Sequence, residues 1–147
     1  MIKAGGATSK LDSRLRWLVL AIAVITAVSG LFQMLLPNVV LQFVGASSAP
    51  AARHFFSLVG MFMLIVGVAL WVAIREGSSG VVLVLAAQKA GAVAGVVIGV
   101  ANGIFGMSSL PVAGFDALSC ILILWYWRQT RPWSGRPTCS SSAMSSL

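Results

Sequence analysis

Acid is scarce in this chain. Its 147 residues include three carboxylates, Asp12, Glu76 and Asp116, and one histidine, His54. Carboxylates so far apart in sequence give no sign of the paired acids of hydrolytic general acid–base chemistry, and no Ser–His–Asp arrangement emerges. The two cysteines, Cys120 and Cys139, form no CxxC, CxxCH or metal-spaced cluster. Cys120 falls inside an apolar run and Cys139 in a polar tail, so they sit at different depths and are read as unbridged, with Cys120 a small packing residue. No cofactor and no catalytic activity are expected from this inventory. His54 is a weak candidate for ligating a haem or pigment, since a bis-histidine site needs a second histidine that this chain lacks.

Charge of either sign is also rare. Charged residues make up 9% of the chain and hydrophobic residues 59%, whereas soluble domains carry about 25% charge. The apolar residues are gathered into runs, Trp17 to Leu36, Phe55 to Ile74, Val81 to Phe105 and Val112 to Trp127. At about 1.5 Å per residue, each run can cross a hydrocarbon core of about 30 Å, the last one narrowly. The alternation of a membrane β-barrel is missing, and lipid leaves helices as the remaining way to satisfy the backbone. The expected fold is therefore an all-α, integral membrane four-helix bundle. Residues 14–131 form the spanning domain, residues 1–13 a cytoplasmic tail and residues 132–147 a disordered cytoplasmic tail.

The net charge of +7 reflects basic residues flanking the runs, with no dense basic patch on a soluble face. It calls for lipid rather than nucleic acid as partner. Lys3, Lys10, Arg14 and Arg16 precede the first run, Arg75 lies between the second and third, and Arg128, Arg131 and Arg136 follow the fourth. Arg53 alone falls on the other side. The positive-inside rule then puts both termini in the cytoplasm. Trp17, Trp71, Trp125, Trp127 and Trp133 fall at the same boundary, where indole rings anchor among headgroups. A signal peptide cleaved after Ser29 of "AVSG" is the rival reading of the N-terminal segment. The apolar run, however, continues for about twenty residues to Pro37, which favours a retained helix.

Between the first two runs, "PNVVLQFVGASSAPAAR" is too long for a tight turn. Val39, Val40, Phe43 and Val44 share one helical face before Gly45, which predicts a short amphipathic helix on the outer surface with a glycine cap. The third run carries a more unusual pattern: Ala87, Gly91, Gly95, Gly99 and Gly103 recur every fourth residue. In water each glycine would weaken a helix by about 1 kcal/mol relative to alanine. In lipid, where apolar burial drives little association, a GxxxG-type stripe lets a neighbouring backbone approach. That neighbour can be a helix of this chain, a second copy or another subunit.

Polar groups inside apolar runs are the remaining signal. If the third and fourth helices are antiparallel about a turn centred near Ser108 and Ser109, Asn102 is level with Asp116 and Lys89 with Arg128. On that alignment Asp116 is out of reach of Lys89, which is expected to snorkel to the cytoplasmic interface. Asp116 should instead join Arg53, His54 and Asn102 in a polar outer cluster.

The layout resembles a known family. "GLFQMLLP", "FVGA", "HFFSLVGMFMLIVGVAL", the internal "QK" of a Gly- and Ala-rich third helix, and "AGFDAL" look like the small four-helix bacterial membrane proteins of the DoxX-like group, over about Arg14 to Arg131. The resemblance implies a compact bundle in the bacterial cytoplasmic membrane, in a group some of whose members accompany quinol-linked or thiol-linked redox systems. This chain departs from the redox-active members in lacking a cysteine pair, and the "AGFDAL" match marks Asp116 as a polar position of interest. The expectation is a non-catalytic accessory or scaffolding subunit of a membrane complex that packs through its glycine-lined helix, by self-association or against other subunits. The alternatives are a small-molecule binding or transport protein with a polar outer vestibule, and a redox or pigment subunit with a cofactor on His54.

Overall fold

The computed structural model describes the backbone of residues 5–130 and side chains from Ser13 onward. All regular structure among these residues is helical: α1 (Gly5–Leu35), α2 (Pro37–Phe43), α3 (Pro50–Glu76), α4 (Ser79–Ala101) and α5 (Leu110–Thr130), with a short 3₁₀ turn, Met107–Ser109, before α5. Four of these helices, α1, α3, α4 and α5, are long and apolar enough to cross a membrane. The chain is a multi-pass membrane protein built as a four-helix bundle.

Prolines and glycines set the joints. Leu36, the residue before Pro37, leaves the helical region at φ −126°, as the steric demand of a following proline requires. Pro37 and Pro50 then open α2 and α3, where a missing N–H costs nothing. The expected outer connection does contain a helix, and Gly45 does cap it, with φ 68° and the Ala46 N–H donating to the Leu41 carbonyl at 2.9 Å. Leu41 and Val44 are buried against α1 and α3, and Val39 and Phe43 lie on the exposed side.

At the N-terminus, α1 begins at Gly5, within the segment expected to be a tail, since no proline interrupts the chain before Pro37. Residues 1–4 and the expected C-terminal tail, with Arg131, Trp133, Arg136 and Cys139, lie outside the described residues.

The helices pair as two hairpins. The first packs α3 tightly against α1, and the second packs α5 against α4; the hairpins meet less closely, α1 on α5 and α3 on α4. The α1–α3 seam is made by glycine. A Cβ placed on Gly30 would run into the α3 backbone at Gly60 and Leu64, one on Gly60 into the α1 backbone at Gly30 and Met34, and one on Gly67 into Ala23 and Ala27. Contact this close supplies the van der Waals attraction that holds helices together in lipid. Side chains also bridge the seam: Ser57 Oγ donates to the Met34 carbonyl at 2.5 Å, and Gln33 Nε2 to the Phe56 carbonyl at 3.2 Å.

The apolar core occupies one half of the bundle. Leu15, Val19 and Ile22 of α1 meet Leu70 and Ile74 of α3, Val82 and Leu85 of α4, and Ile123 and Tyr126 of α5. These positions lie at the starts of α1 and α4 and the ends of α3 and α5, so the core sits at the end that carries the termini. Trp17, Trp71 and Trp125 are exposed at that same end, and Trp127 is half-buried against the core. The Arg75 guanidinium lies over the Trp71 ring, 5.6 Å from its centroid.

Candidate functional site: a buried ion pair beside a cavity between two hairpins

Helix α4 ends earlier than its apolar run. After Ala101 the chain closes in a glycine cap, with Gly103 at φ 69°, its N–H on the Val100 carbonyl at 3.0 Å and the Ile104 N–H on the Gly99 carbonyl at 2.8 Å. Phe105 then folds back so that its ring occupies the space a side chain at residue 99 would need. The Gly106 N–H donates to the Val44 carbonyl at 2.8 Å, which ties this connection to the end of α2. The connection therefore returns along the bundle before α5 begins.

That return changes the register between α4 and α5. Lys89 comes level with Asp116, and its Nζ donates to Asp116 Oδ1 at 2.5 Å. The Cys120 thiol contacts the Ala86 carbonyl at 3.4 Å, which fixes the same alignment without help from a long side chain. The expectation that Lys89 is level with Arg128, snorkels and stays clear of Asp116 is thus overturned. It assumed a helix running to Phe105 and a symmetric turn, and neither exists. Lys89 lies near the middle of α4 and is 1% exposed, and Asp116 is 3% exposed. The ammonium also sits 5.4 Å from the centroid of the Phe115 ring, a cation–π contact that offsets part of its lost hydration.

The expected outer cluster does not assemble. His54 is exposed at the start of α3 and meets the edge of the Phe55 ring, while Arg53 is half-buried on the same turn. Asn102 is exposed and turns back to donate to the Ile98 carbonyl at 2.8 Å. Among the described residues no polar contact joins these three to Asp116, which α5 carries toward the bundle centre.

The glycine stripe of α4 also reads differently in three dimensions. A Cβ at Gly91 or Gly95 would touch nothing within 4 Å, and Ala87, Gly91 and Gly95 are exposed. Among the described residues no helix packs into that face. Gly99 makes room for Phe105 and Gly103 forms the cap, so close helix approach within the chain is the work of Gly30, Gly60 and Gly67 instead.

Beyond the packed core the hairpins part around a cavity of about 570 Å³. Its walls come from all four spanning helices, and α2 and the α4–α5 connection contribute Phe43, Val44, Phe105 and Ser109. Phe56, Val59 and Met63 of α3 face Ala92, Gly95 and Val96 of α4, and Ser29 and Gln33 of α1 add polar groups. Asp116 is part of the wall, whereas Lys89 stands behind it. A mostly apolar chamber of this size with a few convergent polar groups has the character of a small-ligand site. Beside it, Gln88 reaches Met63 Sδ with its amide nitrogen at 3.6 Å and leaves its buried Oε1 without a hydrogen-bond partner. Among the described residues no three histidine, cysteine or carboxylate side chains converge as metal ligands would.

The class defined by these features is a four-helix membrane protein with a mid-bundle ion pair on the wall of a cavity between its hairpins. Comparison with family models, with curated proteins and with solved structures finds no match to this chain.

Proposed function

We propose that this protein binds a small molecule within the bacterial cytoplasmic membrane, as a carrier or receptor, with the ligand held between the two hairpins against Asp116. The observation that supports this reading is the placement of a buried ion pair on the wall of a cavity of about 570 Å³. Ionisable groups at mid-membrane are costly, about 3 kcal/mol each or more, and where they face a cavity they mark ligand or ion sites. The basic residues Arg14, Arg16, Arg75 and Arg128 and the tryptophan belt favour termini in the cytoplasm, so the cavity half of the bundle faces outward. No bond-making step is part of this reading.

Native mass spectrometry of the protein released from its own membranes tests it. The wild type should carry a small-molecule adduct that Gly95→Leu, which grows a side chain into the cavity, removes. A wild type without any adduct, indistinguishable from Gly95→Leu, would count against the proposal.

The accessory-subunit reading keeps one supporting observation, the open Ala87–Gly91–Gly95 face of α4. If that face meets a second protein, purification in mild detergent yields a larger complex that Gly91→Leu dissociates. A monodisperse monomer for both proteins argues against it.

A further inference from the structure

Asp116 supplies the one titratable side chain on the cavity wall among the described residues, and Lys89 the one in contact with it. The elements α1, α2 and α3 contribute no acid or base there, and the Cys120 thiol, a turn along α5, is directed at the Ala86 carbonyl. The cavity therefore offers a ligand a carboxylate on a mostly apolar wall that also carries Phe43, Phe56 and Phe105 and the polar Ser29, Gln33 and Ser109. Lys89 engages Oδ1, and a carboxylate has a second oxygen and further lone pairs. The chemistry complementary to a carboxylate on a mostly apolar wall that also carries aromatic rings is a cation with an apolar body, because rings attract positive charge and the apolar wall receives the body.

Charge balance sets the second half of the argument. The empty site is neutral as a whole, with one ammonium against one carboxylate. Adding a second cation without loss of the first would leave a net positive charge in a low-dielectric interior, a strongly unfavourable state. The least costly way to restore neutrality is for the pair to release one proton: the N–H bond of the Lys89 ammonium breaks, its electron pair stays on Nζ, and H⁺ passes to water. We infer that the cavity binds a lipophilic monovalent cation, such as a bulky amine or quaternary onium ion, in exchange for the proton of the Lys89–Asp116 pair. This rests on the reading of the cavity as a ligand site and adds to it the ligand's charge and the coupling.

The test uses the full chain in nanodiscs of zwitterionic lipid, with two probes of matched shape and opposite charge, tetraphenylphosphonium and tetraphenylborate, and empty nanodiscs for background. Tetraphenylphosphonium should bind saturably and tetraphenylborate should not. Calorimetry in two buffers of different ionisation enthalpy should count about one proton released per cation bound, and the affinity should rise about tenfold per pH unit while the empty pair holds its proton. Asp116→Asn should weaken cation binding about tenfold or more. Lys89→Gln should keep the cation binding, because the carboxylate that holds the ligand is untouched. Should either variant fail to fold, the probe comparison and the proton count on the wild type decide the matter alone.

Cation binding without proton release, or tetraphenylborate binding as tight as that of its partner, overturns the exchange. Tetraphenylborate binding that Gly95→Leu removes does so while leaving the ligand cavity standing. Saturable binding of neither probe overturns the cation assignment, and the presence or absence of a native adduct then shows whether the cavity reading falls with it.

Discussion

Lys89 and Asp116 need one another. An ion pair inside a bundle is weak evidence for stability in itself, because the desolvation of both groups offsets most of their attraction, but removing one partner leaves an uncompensated charge. Asp116→Ala or Lys89→Met should each destabilise the bundle by about 3–5 kcal/mol. The double variant Lys89→Met with Asp116→Leu should recover most of that loss, read as the midpoint of unfolding in a denaturing-detergent titration. Two single variants as stable as the parent would show that the pair is not dry. Both residues stood out in the sequence, as charges within apolar runs; their pairing did not. Register between antiparallel helices depends on the path of the connection. Here that path turns on a left-handed Gly103 and a ring folded against Gly99, neither of which hydropathy encodes.

At the scale of the helix, the two sets of glycines behave differently because one set meets a backbone and the other does not. Gly60→Leu or Gly67→Val places side-chain atoms where the α1 main chain already lies, so α1 and α3 must separate. Overpacking of this kind costs at least about 1–3 kcal/mol, and these variants should lose the folded bundle in detergent. Gly91→Leu, with open space around it, should leave the isolated chain's unfolding midpoint unchanged. Spans and the Gly45 cap were legible in advance because apolar length and a glycine after a short helical run act locally. The seam was partly legible: Ala23 and Gly30 on α1, like Gly60 and Gly67 on α3, are seven residues apart, a repeat that keeps small residues on one face. The more conspicuous four-residue stripe on α4 is met by no helix among the described residues, since spacing tells which face is smooth and not what covers it.

For the whole molecule, the division into a packed half and a parted half gives the bundle a direction. Cysteines introduced at Ser13 and Ser47, both exposed and at opposite ends, report it when Cys120 and Cys139 are replaced by alanine. In intact cells a membrane-impermeant maleimide should label Ser47→Cys and spare Ser13→Cys until the membrane is broken. The reverse pattern would invert the orientation. The Trp and Arg positions predict this orientation from the sequence. The chamber was not readable, because its walls are single residues drawn from every helix, and their convergence is a property of the assembled fold.

The order in which the ribosome makes the chain gives the ion pair another consequence. Lys89 emerges 27 residues before Asp116, so α4 reaches the insertion machinery with a lone positive charge near its midpoint, worth about 3 kcal/mol against entering lipid. Synthesis of α5 supplies the counter-charge, and the two helices then enter most favourably as one unit. Partition into the bilayer is thereby linked to translation of the final span, and a chain truncated before residue 110 should be recovered with α4 less completely inserted, as glycosylation mapping can measure.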